Sequence, residues 1–198
     1  MNAGRKSLPR TALLTGTPGS VRIIGGRWRG TRLPVPDRPG LRPTSDRVRE
    51  TLFNWLQPQL PGARVLDLFA GSGALGLEAL SRGAASAQLV EADAQLASGL
   101  EDMGRHLDAG ARLDVHAGDA LAWLRGAPAS VFDIAFVDPP FDAGLWDAVL
   151  ALLPGHLAAK ACIYLEAPVV SMPVLPGEWV LHRESRTRDV RYALYRRG

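Results

Sequence analysis

Four consecutive residues, Asp138-Pro139-Pro140-Phe141, close the apolar run Val131-Phe132-Asp133-Ile134-Ala135-Phe136-Val137, and their types suit them to hold an amino group. Proline has no N–H and a fixed φ, so two in succession stiffen the chain and keep its carbonyls out of a helix. The Asp138 carboxylate, the Pro139 carbonyl and the flat Phe141 ring then form one cluster. Such a cluster offers two acceptors to the N–H bonds of an exocyclic nucleobase amine and a face for the base to stack on. The plainer alternative is a turn that ends a strand and buries a phenylalanine.

A second motif weighs against that alternative. Asp67-Leu68-Phe69-Ala70-Gly71-Ser72-Gly73-Ala74-Leu75-Gly76 follows the short apolar run Arg64-Val65-Leu66 and opens a helical stretch over residues 74–82, closed by Gly83. Strand, glycine loop and helix make the nucleotide-binding unit of a doubly wound α/β domain. Gly71, Gly73 and Gly76 match the dinucleotide fingerprint, and Glu91, twenty residues beyond Gly71, is placed to bind both ribose hydroxyls. Asp67 argues against a dinucleotide, because its charge would face a pyrophosphate at short range. S-adenosylmethionine carries an ammonium and a sulfonium and no phosphate, and an acid at this spot favours it. The glycines alone are a weak signal; with Asp67, Glu91 and the proline tetrapeptide they are a strong one.

The pair of motifs resembles the class I methyltransferases that act on exocyclic amino groups. The stretch Arg22-Ile23-Ile24-Gly25-Gly26-Arg27-Trp28-Arg29-Gly30 and the segment over residues 41–56 narrow the resemblance to the bacterial 16S rRNA guanine-N2 methyltransferases of the RsmD type. It runs from about Val21 to Arg196 and is strongest over residues 41–56, 66–82 and 137–141. The resemblance implies a guanine of small-subunit rRNA as substrate, naked or in an assembling subunit, and S-adenosylmethionine as donor. It implies that Phe69, Ala70, Gly71, Ser72 and Gly73 wrap the methionine part and that Glu91 takes the ribose. Asp119, in Gly118-Asp119-Ala120, would accept from the adenine amino group, and Thr44 would contact the methionine carboxylate. The proline tetrapeptide does not separate guanine from adenine, so an adenine-N6 methyltransferase of the same fold stays open. A non-catalytic RNA-binding assembly factor is a further alternative, and an NAD-dependent oxidoreductase a distant one.

Charge adds to this reading. Residues 1–50 hold eleven basic and three acidic residues (+8), residues 51–182 six and fifteen (−9), and residues 183–198 six and two (+4), which sum to the net +3. Basic ends around an acidic middle suit a polyanion gripped from the ends of the chain. Arg22, Arg27, Arg29, Arg32, Arg42, Arg47 and Arg49, with Trp28 among them, are the candidate RNA contacts. Arginine offers both a fork for phosphate and a plane for bases. A GC-rich genome would explain arginine over lysine, but not the segregation of charge.

At 198 residues the chain suits one domain with a modest extension. No apolar run approaches the ~18–20 residues that span a bilayer. Ala12-Leu13-Leu14, after Arg5, Lys6 and Arg10, is too short for a secretory leader. The single cysteine, Cys162, permits no intrachain disulfide and reads as core. His106, His116, His156 and His182 lack ligand spacing, so no metal is expected. A cytoplasmic monomer with no membrane partner is the expectation.

These residues need a scaffold. Residues 1–20 read as a disordered basic tail. Residues 21–60 read as an RNA-binding extension: a strand pair over 21–33 with a tight turn at Gly25-Gly26, a linker paced by Pro34, Pro36, Pro39 and Pro43, and a helix capped by Thr44 or Ser45. Val48, Leu52, Trp55 and Leu56 would face the core, with Arg47 and Arg49 on the other side. Residues 61–198 form the catalytic domain. Strands are expected at 64–68, 87–91, 113–116, 131–138 and 161–166, helices at 74–82, 95–107, 120–125 and 144–153, and a final hairpin around Arg188-Asp189. That hairpin completes a seven-stranded, mostly parallel Rossmann-like sheet with one antiparallel strand, as the resemblance also implies. Asp67, Glu91, Asp119 and Asp138 each follow a strand end and converge on one crevice.

Overall fold

A computed structural model describes residues 19–35, 44–128, 131–175 and 177–198. Arg42, most of the proline-paced linker and most of the N-terminal tail lie outside these residues. The order of elements is β1 (Gly19–Arg22), β2 (Arg32–Val35), α1 (Asp46–Leu56), β3 (Arg64–Asp67), α2 (Ala74–Ser81), β4 (Ser86–Glu91) and α3 (Ala94–His106). There follow β5 (Leu113–Ala117), α4 (Ala120–Gly126), β6 (Phe132–Val137), α5 (Trp146–Leu152), β7 (Leu157–Pro168), β8 (Trp179–Arg186) and β9 (Val190–Arg197).

Seven strands form one sheet in the order β5-β4-β3-β6-β7-β9-β8, and only β9 runs against the rest. Strand order reverses between β3 and β6, so the carboxyl ends of these two neighbours, at Asp67 and Asp138, flank the crevice where such sheets bind ligands. Strand alternation divides the core. Val65, Ile134, Phe136, Cys162 and Tyr164 pack with α1, α2 and α3 on one face. Leu66, Ala135, Val137, Ile163 and Leu165 pack with α4 and α5 on the other. Both faces are covered, which is why these strands read as continuous apolar runs.

The N-terminal segment departs from the expected tight hairpin. β1 and β2 pair in a separate antiparallel sheet that begins at Gly19 and takes in Pro34, and the residues between them form a long loop. That loop is docked. Ile24 N and Gly25 N donate to the Glu78 carboxylate at 2.6 and 2.8 Å, Arg27 N donates to Ser81 O at 2.8 Å, and Trp28 N donates to Ser81 Oγ at 2.9 Å. Gly26 is obligatory, since its φ is +75° and a Cβ would fall 1.9 Å from Ser81 O. Helix α1 is capped by Ser45, whose side chain accepts from Val48 N at 3.4 Å. Phe53 takes a core position that the sequence reading gave to Trp55; Trp55 lies at the margin, stacked on Tyr192 at 5.6 Å. β7 is also longer than expected, because its first residues continue the pairing with β6 beyond an irregularity.

Candidate active site

Asp67 ends β3 with its carboxylate buried, accepting from Gly76 N at 3.0 Å. Gly76 makes that approach possible: a Cβ there would lie 2.6 Å from Leu89 Cδ1 and 3.3 Å from Asp67 Oδ2. The loop between β3 and α2 turns through left-handed backbone at Gly71 and Gly73, with φ of 53° and 74°. Burial pushes the Asp67 carboxyl up to about 7; the amides of Gly76 and Phe69 oppose the shift, and the charge of Glu91 adds to it. A buried acid so far from its ordinary range suits a positively charged partner.

Glu91 closes β4 on the other side of the loop. Its Oε2 accepts from Gly71 N at 2.7 Å and its Oε1 from Asp93 N at 2.9 Å, so the carboxylate is fixed with one lone pair free on each oxygen. Asp119 is the N-cap of α4, accepting from Ala122 N at 2.8 Å, and Ala120 is buried behind it. The cap uses Oδ1 only. Phe69 lies half-buried at the rim.

At the end of β6 the proline tetrapeptide leaves the sheet as the sequence suggests. Pro139 is buried and Pro140 exposed; Pro140 O accepts from Ala143 N at 3.0 Å, whereas the Pro139 carbonyl accepts no bond among the described residues. Phe141 is 39 % exposed, a ring presented to solvent rather than packed away.

The sequence reading missed the residue next to Asp138. The pairing of β6 with β7 runs through Val137 and Leu165, which sets Glu166 beside Asp138 on the neighbouring strand. Glu166 is buried, and its Oε2 accepts from Tyr164 Oη at 2.8 Å and Thr44 Oγ1 at 3.2 Å. Desolvation, then the charges of Glu166 and Asp67, hold the Asp138 carboxyl well above the ordinary carboxylate range. Desolvation also raises Glu166, against the bonds from Tyr164 and Thr44. Only adjacency of parallel strands could have revealed this pair, since the two acids stand 28 residues apart in sequence.

Several expected contacts fall elsewhere. Thr44 gives its hydroxyl proton to Glu166, so that bond does not serve a cofactor carboxylate. Arg49, expected to reach RNA, is fully buried; it bonds Asp46 at 2.6 Å and Arg22 O at 2.9 Å and lies 3.6 Å from Glu78. Trp28 is core as well, 7 % exposed with the Arg112 guanidinium 5.5 Å above its ring. The hydrophobic pattern could not disclose either, because a buried arginine needs Glu78 and Asp46, which come from other turns and elements. Arg22 pairs with Asp46 at 3.0 Å, while Arg27, Arg29, Arg32 and Arg47 are exposed. Among the described residues there is no group of three or more His, Cys, Asp or Glu placed to hold a metal. No helix there is long and apolar enough to cross a membrane.

Strand order and crevice together define a class I methyltransferase fold. A family model described as "Conserved hypothetical protein 95" matches residues 21–196. Over 184 residues the chain is 52% identical to ribosomal RNA small subunit methyltransferase D of Escherichia coli strain K12, covering 90% of this chain and 91% of that protein. It is 41% identical over 181 residues to the protein of the same name from Haemophilus influenzae, covering 89% and 94%. The solved structure of yhhF from Escherichia coli superposes with a TM-score of 0.83 at 50% identity, covering 91% of this chain and 99% of that one. The chain belongs to the ribosomal RNA small subunit methyltransferase D family.

Proposed function

We propose that this protein transfers a methyl group from S-adenosylmethionine to the exocyclic N2 of a guanine in small-subunit rRNA. The observation that carries the reading is the cluster of acceptors at the carboxyl ends of β6 and β7: Asp138, the open Pro139 carbonyl and Glu166. Guanine presents N1–H and the N2 amino group side by side, all donors. Adenine presents its N6 amino group next to N1, an acceptor. With both carboxyls ionised, this surface offers only acceptors and favours guanine, which the proline tetrapeptide by itself does not. Glu166 Oε1 has no partner among the described residues and is the oxygen we assign to N1–H.

The residues beside β3 and β4 fit the methyl donor. Asp67 is a buried acid suited to a cation, Glu91 keeps two lone pairs for the ribose hydroxyls, and Asp119 Oδ2 remains for an adenine amine. Phe69 to Gly73 would wrap the methionine part. Bound there, the donor supplies an electrophilic methyl on a sulfonium.

The guanine N2 lone pair is delocalised into the ring, and Asp138 with the Pro139 carbonyl would hold both N–H bonds so that the lone pair points at the methyl. Such orientation accounts for up to ~7–11 kcal/mol of barrier in favourable cases. Phe141 stacks on the flipped base, a contact worth ~1–3 kcal/mol. As the N–CH3 bond forms, the S–CH3 bond would break with its electron pair left on sulfur; the nitrogen then carries one proton too many, which would pass to the ionised Asp138. Residues 21–60 serve as the RNA-facing extension to the catalytic residues 61–198, and Arg22, Arg27, Arg29, Arg32 and Arg47 are its candidate contacts.

The test is methyl transfer to small subunits from cells that lack the gene, followed by nucleoside analysis. N2-methylguanosine is the expected product. N6-methyladenosine would overturn the choice of base, and absence of transfer would leave a binding protein.

A further inference from the structure

A groove of about 270 Å³ opens between the start of α1 and the β8–β9 turn, lined by Ser45, Arg47, Thr51, Ser185, Arg186 and Thr187 among others. It is distinct from the crevice but shares its edge of the sheet. The β8–β9 turn lies beyond Pro168 and Val190, which pair at the carboxyl end of β7, the end that carries Glu166. Ser45 follows Thr44, the donor to Glu166, and Tyr192 at the back of the groove pairs across the strands with Glu166.

The lining is one-sided in charge. It holds two arginines and no carboxylate. Two neighbouring arginines are paired, Arg22 with Asp46 and Arg191 with Glu184. Arg47 and Arg186 make no ion pair among the described residues, although both are exposed. The hydroxyls sort by what they still offer. Thr51 gives its proton to Arg47 O and Thr187 gives its own to Val190 O. Ser45 only accepts, from Val48 N, and Ser185 has no partner among the described residues, so both keep a proton to donate. Two free guanidinium forks and two free O–H donors around a groove without acids suit the oxygens of a phosphodiester.

We infer that this groove binds a backbone phosphate of the RNA strand that delivers the target base, and so fixes the register in which that base enters the crevice. The inference rests on the reading of the protein as an rRNA methyltransferase. Arg47 was a candidate RNA contact from the sequence; Arg186, Ser45 and Ser185 join it only through the fold.

The test is the double substitution Arg47→Ala/Arg186→Ala beside Arg47→Lys/Arg186→Lys, measured by RNA binding over a salt series and by steady-state transfer to small-subunit RNA. Loss of that one phosphate contact flattens the slope of log affinity against log salt by about 0.7, the value per contact for a single strand. The alanine pair should show that change and a KM for RNA raised about tenfold or more, with S-adenosylmethionine affinity and turnover at saturating RNA retained; the lysine pair should keep the wild-type slope. A slope and KM equal to wild type in the alanine pair would overturn the inference. So would a loss of turnover at saturating RNA with an unchanged slope, which would place these arginines in the chemistry. If the wild-type protein transfers no methyl at all, the reading of its activity fails, and the salt series still decides whether the groove holds phosphate.

Discussion

Asp138, half-buried, and Glu166, buried, are neighbouring acids, yet the proposed chemistry gives them different work, and substitution separates them. Asp138→Ala removes a charged acceptor whose bonds are worth roughly 1.5–3 kcal/mol each. Turnover should therefore fall at least about tenfold with cofactor affinity nearly unchanged; near-native turnover would mean that Asp138 only ends a strand. Glu166→Ala should lower kcat/KM for RNA by a similar factor, and preference for guanine should weaken in nucleoside analysis. A Glu166→Ala protein that melts earlier but retains full activity and base choice would reduce Glu166 to a support for Tyr164. Asp67 gives a prediction in pH. Its carboxyl titrates at an ordinary 3.8 in the unfolded chain and at about 7 in the fold. Between these values the folded chain holds a proton that the unfolded one has lost, so this contribution to stability is full below 3.8 and lost as pH rises through about 7. A cation beside Asp67 favours the ionised form, so the rise in melting temperature caused by S-adenosylmethionine should grow from about pH 5.5 to about pH 8. Asp67→Asn should flatten that trend, and an equal trend in the variant would assign it to another group.

At the scale of elements, Glu78 joins what the sequence presents as separate pieces. It is wholly buried in α2 and takes Ile24 N, Gly25 N and Arg82 Nε at 2.6 to 2.8 Å, with Arg49 of α1 at 3.6 Å. Removing one partner of a buried ion pair leaves the other charge uncompensated, at a cost of about 3–5 kcal/mol. Glu78→Ala should lower the melting temperature by roughly 6–20 °C for a chain of this size. Limited proteolysis should cut first within the loop between β1 and β2. Cleavage unchanged from wild type would show that Ile23, Trp28 and Leu33 suffice to hold the loop. The contrast with α2 and α3 explains what the sequence discloses. Asp93 as the cap of α3 and the glycines before α2 act within a few residues, and local patterns report them. Glu78 reads as one polar residue in an apolar helix, because Ile24 N and Gly25 N, the amides it holds, lie more than fifty residues away. Thr44 and Glu166 are likewise joined over 122 residues, and Arg49 has the spacing of an exposed position until Asp46 one turn back, Glu78 of α2 and the Arg22 and Thr44 carbonyls surround it.

Over the whole molecule, Arg27 and Arg29 lie apart from Arg47 and Arg186. Helix α2 leaves the crevice at Gly73 and carries the chain back toward the opposite edge, and at its far end Ser81 receives Arg27 N and Trp28 N. Arg112, just before β5, lies over Trp28 at that same far end. Arg27 and Arg29 therefore stand about 12 Å from the crevice edge, the length of eight helical residues at 1.5 Å each. Arg47 and Arg186 line the groove beside the crevice. The segregation of charge in the sequence is thus real, but it does not describe one continuous grip. In the proposed mode, a strand placing a base between Asp138 and Phe141 would pass Arg47 first, and only a longer or folded RNA would wrap to Arg27 and Arg29. In Arg27→Ala/Arg29→Ala, a short single-stranded oligonucleotide should bind and react as with wild type. Small-subunit rRNA should bind more weakly, with a salt slope flatter by roughly one unit or somewhat more if both residues touch phosphate. Equal slopes on rRNA would show that the far edge does not meet the backbone, and a flattened slope on the short oligonucleotide would bring the hairpin into the same contact as the groove.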